Sequence, residues 1–406
     1  MQEEVTRIRA SGEPISTEDL YAFHQVPAHA RDITPLWQEA FDSFDENQFS
    51  ADTGNLPVVG NGEDFENAFD TPDKVTQGEQ FLAKYDLTIQ KTLRAAEVRG
   101  ECRFPVSFDE GMQAELPHAV KLRLVARLLT VRMRVCKARG DIPAALESLH
   151  AMFAAARTHE NAPLIIEQMV RFAVSGSALH ETETLLNEYD LDEAELVQLE
   201  RDVRSLKIEE GLTLALIGER SLGYHSFHHL GQLADSPRLD AHDGELSLPV
   251  DCRFFLEQME RFIIASRDPY PEALRAADQV DSRFREVMDD PLQKLSYMVT
   301  LLIAPAYRAG FDAAARQMAR RELVSCAIAA ERFRVMHGRP PQDLEELVPT
   351  FLPATPMDPF IGQPVRFQAG NDELVFYSVG ANAKDDVGIE NDRSCEPDIV
   401  VRLRRR

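Results

Sequence analysis

The stretch KLRLVARLLTVRMRVCKARGDIPAALESLHAMFAAARTH, residues 121–159, decides the fold. Leu122, Val125, Leu128, Leu129, Met133 and Cys136 recur at helical spacing and line one face of a helix from about Pro117 to Arg139. Gly140 stops it, because glycine tolerates the left-handed conformation that closes a helix. Asp141 then caps a second, Ala/Leu-rich helix with Pro143 in its first turn. Each helix of such a pair hides its apolar face only against further helices. The pattern therefore predicts a mainly α protein with a multi-helix, solenoid-like body.

Helical periodicity extends in both directions. Phe81, Leu82, Tyr85, Leu87, Ile89 and Leu93 predict one helix over 76–97. Further helices follow near 162–188, from Asp192 (with Glu195 as a capping-box partner), at 207–222, 252–266, 270–289 and 291–309. Residues 232–250 read as a loop. The last and longest helix covers 311–337. The Ala-Arg-Gly-Asp turn between two apolar helices resembles one tetratricopeptide-type hairpin, but its Trp and Tyr signature positions are missing and no successor follows at the repeat's period.

The two ends differ from this body. Near the start, Ser16 and Asp19 predict a capped helix over Ser16–Phe23. Residues 38–73 then carry ten acids and no Lys or Arg, with Gly54, Asn55, Pro57, Gly60, Asn61 and Gly62 as punctuation, and read as a solvated acidic loop. After His337 proline becomes dense. VRFQ (365–368), ELVFYSV (373–379) and DIVVRL (398–403) alternate as strands, with Gly370-Asn371 as a hairpin turn. So small a sheet needs a cover, and Leu323, Ala327, Ala330 and Phe333 of the preceding helix supply an apolar stripe for it. The expected organisation is an N-terminal segment (1–75), the helical body (76–310) and a small α+β C-terminal domain with a short antiparallel sheet (311–406).

Composition narrows function. Among 406 residues, 44% are apolar and 28% charged, as in an ordinary globular protein, and the formal net charge is −24. Phosphate contacts need a basic face, so a nucleic-acid partner is not expected. Nor is direct membrane insertion, since no run of eighteen apolar residues exists. Cys102, Cys136, Cys252, Cys326 and Cys395 form no CxxC pair; Cys136 and Cys326 read as core residues, and one disulfide among the others stays open.

No catalytic motif stands out. Gly-x-Ser-x-Gly, Walker-type and dinucleotide loops are missing from the sequence. Asp45-Glu46-Asn47 lacks the ligand order of an EF-hand. His159-Glu160 and His180-Glu181 lack the second His of a zincin. His225 and His229 share a helix face as a possible metal pair, with a helix end bearing surface histidines as the simpler reading. Glu209, Glu210, Glu219 and Arg220 lie in a largely apolar helix, where a buried Glu–Arg structural pair explains them as well as an acid–base role does.

The segment from His337-Gly338-Arg339-Pro340-Pro341 onward resembles the C-terminal domain of type II secretion major pseudopilins. The resemblance rests on Leu344 and Leu347, Leu352-Pro353, Asp358-Pro359-Phe360, Gly362-Gln363-Pro364, Tyr377-Ser378-Val379-Gly380 and Asp398-Ile399, and covers about 311–403. It implies a calcium-binding loop whose ligands are the Val379 carbonyl, Asn382 and acids among Asp385, Asp386, Asp392 and Asp398. The sequence departs from that pattern by Asn382 in place of the usual Asp, and by an insertion at Arg393–Pro397. The helical part also resembles an uncharacterised bacterial helical family, in which a Cys-Arg-Phe-Pro segment (here Cys102 to Pro105) precedes such helices and the same tail follows. That resemblance implies an extracytoplasmic or periplasmic location behind an N-terminal anchor missing from this sequence, with the cytoplasm as the alternative. The leading expectation is a non-enzymatic interaction or scaffold protein of the bacterial cell envelope with a protein or peptide partner. A component of a secretion or pilus-like assembly is the second reading and an enzyme of unrecognised class the third.

Overall fold

In the computed structural model the described residues are 2–54, 56, 69–234, 248–303, 307–370, 372–388 and 398–404. The chain opens with α1 (Gln2–Ala10), α2 (Thr17–Phe23), α3 (Thr34–Asp42), α4 (Glu46–Thr53), α5 (Pro72–Lys84) and α6 (Asp86–Ala96). The predicted start of α2 is present as a reciprocal box: the Ser16 hydroxyl accepts from Asp19 N, and the Asp19 carboxylate accepts from Ser16 N, both at 3.2 Å.

The acidic stretch corrects the sequence reading. Residues 38–53 are mostly α3 and α4, not a loop. Beneath their acids, Trp37, Ala40, Phe41, Phe44 and Phe49 keep helical spacing and are buried. The Phe44, Phe49, Phe81 and Tyr85 rings pack 4.9–5.6 Å apart. This apolar contact outweighs poor local propensity, because most helical stability comes from tertiary packing. Residues 57–68 of the same stretch lie outside the described residues. The single helix expected over 76–97 is two, broken where Tyr85 leaves helical geometry (φ −111°, ψ 16°).

The body continues with α7 (Pro117–Ala138), α8 (Ile142–Arg157), α9 (Ile165–Glu188), α10 (Glu193–Arg204), α11 (Ile208–Ala234), α12 (Leu248–Ala265) and α13 (Glu272–Asp289). Two short helices, α14 (Pro291–Ser296) and α15 (Met298–Ile303), replace the one expected at 291–309. Gly140 takes φ +76° and Asp141 accepts from Ala144 N at 3.2 Å, so the α7–α8 turn forms as its residues require. α11 runs twelve residues past the predicted end at 222. It passes so close to Pro163 that a Cβ at Gly218 would lie 1.9 Å from the Pro163 carbonyl oxygen. Of the loop expected at 232–250, residues 235–247 lie outside the described residues and 248–250 are helical.

α7 packs on α8, α8 on α9, α11 on α12 and α12 on α13, and α16 (Tyr307–His337) packs against α9, α10, α11 and α13. One apolar core reaches from Ile8 to Leu403 and includes residues of all three predicted segments. Among the described residues, no helix is long and apolar enough to cross a membrane. Cys102, Cys136, Cys252 and Cys326 are free thiols, Cys326 fully buried and Cys136 partly so.

The sheet is antiparallel in the order β1 (Arg366–Ala369), β2 (Glu373–Ser378), β3 (Ile399–Arg404). Leu374 pairs with Leu403 and Phe376 with Val401, and these four join the main core beside α16. The opposite face carries Val375, Tyr377 and Val400, which form a cluster of their own. The outer edge of β3 is closed by α9. Glu183 accepts from Arg402 N at 3.0 Å, and Asn187 bonds both Arg402 O and Arg404 N at 2.7 Å. A strand edge left bare would template pairing with other chains.

Candidate functional site

Three helix ends meet in the interior and bring together the polar groups of greatest chemical interest. Pro117 opens α7 and places His118 in its first turn. Thr158 caps α8 and is followed by His159. A turn then enters α9, whose first turn carries Glu167. Gln168 fixes this turn by donating to the carbonyls of His159 and Ala162, both at 2.9 Å.

His118, His159 and Glu167 are all buried, and one ligand atom from each lies within 4.8 Å of the others. His118 Nε2 is 2.7 Å from Glu167 Oε1. The Phe104 ring stacks on His118 at 4.9 Å and lies 5.2 Å from His159. His24, itself buried, bonds the Phe104 carbonyl at 3.0 Å through Nε2. Within this cluster His159 Nε2 and Glu167 Oε2 have no hydrogen-bond partner. Burial, with His118 and Arg171 nearby, holds the His159 imidazole well below its ordinary range, and burial also lowers His24.

The Thr158 hydroxyl assigns the His159 tautomer. Its single proton goes to the Ala155 carbonyl at 2.7 Å, so the hydroxyl oxygen accepts from His159 Nδ1 at 2.8 Å. The neutral ring then carries its proton on Nδ1 and a lone pair on Nε2. Beside this group, Glu219 accepts from Ile165 N at 2.9 Å and from the Tyr307 hydroxyl at 3.4 Å. Burial pushes its carboxyl up to about 7, with the charge of Glu167 adding to the effect.

The acids and the arginine of α11 find partners on other elements: Glu209 pairs with Arg321 of α16. Arg220 is fully buried and bonds Glu13 and Glu260, pinning the N-terminal segment to α11 and α12. His225 and His229 stack 6.5 Å apart within α11, not at its end.

The predicted calcium ligands fall in the loop that follows β2. Val379 N donates to the buried Asp358, which also accepts from Phe360 N, both at 2.9 Å, so the Asp-Pro-Phe turn is tied to the strand end. Asn382 bonds Asp386 at 3.1 Å, and Asp385 accepts from the Tyr377 hydroxyl at 3.2 Å and from Val387 N at 3.0 Å. Asp398 accepts from Gly388 N at 2.8 Å and from Asp386 N at 3.4 Å, and burial pushes its carboxyl up. Asp392 lies outside the described residues.

A third feature is apolar. Met288, Leu292, Leu295, Met298 and Leu302 are exposed on the end of α13 and along α14 and α15, with Leu292 at 79% and Leu302 at 74%. Leu292 and Leu295 are three apart on α14, and Met298 and Leu302 four apart on α15, so each short helix presents one apolar pair to solvent, with non-helical residues at Asp290 and Tyr297 between the helices.

Neither the apolar ridge nor the histidine cluster is announced by a motif. His159 stands beside Glu160 in sequence, but its partners come from two other helix ends. Comparison of the chain with protein-family models, with curated proteins and with solved structures gives no match.

Proposed function

We propose that this chain is a non-enzymatic interaction protein whose helical body seats a protein partner on the ridge of Met288, Leu292, Leu295, Met298 and Leu302. One observation supports this reading above the rest: five large apolar side chains stand in water within fifteen residues of a folded helical region. Contiguous exposed apolar surface marks interaction sites. A partner offering the apolar face of an amphipathic helix fits apolar pairs of this spacing. The C-terminal sheet acts as a structural cap on α16, and the resemblance of the tail to pseudopilins supports a place in the bacterial cell envelope. Calcium at Val379, Asn382, Asp385, Asp386, Asp392 and Asp398 belongs to the same reading.

A photoreactive residue at position 292 in the full chain tests it. Cross-links to one defined protein are expected, and Leu302→Glu should abolish them without lowering the melting temperature. Equal cross-linking from a photoreactive residue at the exposed position 272, on the surface of α13, would count against the ridge. The second reading, a component of a secretion or pilus-like assembly, is favoured by the packing of the three-stranded sheet on the end of a long helix. It predicts that the cross-linked protein belongs to such an assembly.

A further inference from the structure

We propose that His118, His159 and Glu167 bind one divalent transition-metal ion, with zinc the best fit, as a clasp joining the starts of α7 and α9 to the end of α8.

The donor set is the first argument. Two imidazoles and one carboxylate suit zinc, which takes nitrogen and oxygen ligands at about 2.0–2.2 Å in tetrahedral sites. Hard cations such as calcium and magnesium favour all-oxygen sites. The two orphan atoms are the second argument. Buried polar groups are nearly always satisfied, because each unsatisfied one carries a desolvation cost. Of nine such buried atoms among the described residues, two fall in this cluster, one on His159 and one on Glu167. His159 presents the lone pair a metal needs, because Thr158 holds the proton on the other ring nitrogen. Such a partner on the far nitrogen orients a ligand histidine.

Distance is the third argument. Ligand atoms around a tetrahedral zinc stand about 3.3 Å apart at these bond lengths. The 2.7 Å contact between His118 and Glu167 must open slightly, and the spacing to His159, within 4.8 Å, must close by up to about 1.5 Å. Rotamer adjustments of three side chains cover that. Binding takes the ligand nitrogen of His118 and the carboxylate of Glu167 without protons, as ligands must be deprotonated. Three protein ligands leave the fourth position of a tetrahedral site to a water molecule. Phe104, packed on both imidazoles, covers the cluster and restricts access to it.

The test uses the full chain, stripped with a chelator, incubated with equimolar zinc and desalted. About one zinc per chain should be retained, with the melting temperature raised by several degrees. His159→Gln and Glu167→Gln should each lower retention at least tenfold and remove the melting shift. Both keep the size of the side chain, and melting of the metal-free variants establishes that they fold. The double variant His225→Ala/His229→Ala should retain zinc as the parent does. No retained zinc and an unchanged melting temperature in the parent would overturn the proposal. Loss of zinc in the His225/His229 double variant alone would equally overturn it, since the ion would then sit on the surface of α11.

Discussion

Replacing Glu219 with Gln should reverse part of the protein's pH dependence. Glu219 lies inside α11, where its oxygens accept from Ile165 N and the Tyr307 hydroxyl. Burial raises its carboxyl from an ordinary 4.5 to about 7. The folded chain therefore keeps this proton up to about pH 7, while the unfolded chain releases it above about pH 4.5. Stability from this group is fully present below 4.5 and is lost as pH rises through 7. At about 1.4 kcal/mol per pH unit, the loss amounts to roughly 3 kcal/mol. Glutamine has the same shape, stays neutral, accepts from Ile165 N and can donate to the Tyr307 oxygen. Urea unfolding of both proteins at pH 5 and pH 8, in chelator, isolates the effect, because the titrations of His24 and His159 are shared and cancel. At pH 5 the two should be within about 1 kcal/mol of each other. By pH 8 the difference should have moved by about 3 kcal/mol in favour of the variant. A difference that stays constant between the two pH values refutes the argument, and with it the placement of a neutral carboxyl in this interior.

Phe333 is 4% exposed, edge-on to Phe351 at 5.8 Å and beneath Arg339 at 5.0 Å, so Phe333→Ala should cost about 3–5 kcal/mol in chemical unfolding; a loss under about 1 kcal/mol would contradict the burial. Asn187→Ala frees the N–H of Arg404 and the carbonyl of Arg402 at the β3 edge, and should cost about 1–3 kcal/mol and speed proteolysis near the C-terminal strand. Unchanged proteolysis would show that the edge needs no cover. Calcium at the loop of Asp385, Asp386 and Asp398 predicts a higher unfolding midpoint in millimolar calcium that Asp398→Asn abolishes. If calcium leaves the midpoint unmoved, the loop is held by its own backbone bonds.

The sheet is legible in the residues alone, because alternation is a two-residue signal. Leu374, Phe376, Val401 and Leu403 face the core as their spacing predicts. Caps at Ser16, Asp141 and Asp192 are equally readable, since each needs only three residues of sequence. α3 and α4 are hidden by their charge. Their apolar period is present, but local acidity and glycine outvote it, and only contact with Phe81 and Tyr85 across the fold decides the matter. The histidine cluster cannot be read from sequence at all. His118, His159 and Glu167 share no local spacing, and what unites them is the crossing of three helix ends.

The closure of the β3 edge also bears on how the chain is made. Asn187 and Glu183 meet a strand that follows them by 215 to 219 residues. At roughly 5–20 residues per second, a ribosome needs about 10–40 s to deliver that strand after α9 has emerged. Throughout that interval the strand that Asn187 and Glu183 meet has yet to be made, and Leu186 and Ala330 await Leu374 and Leu403. The nascent chain is thus exposed to chaperones and to premature pairing for tens of seconds at one defined place, and its protease sensitivity there should end abruptly once β3 is free to pair.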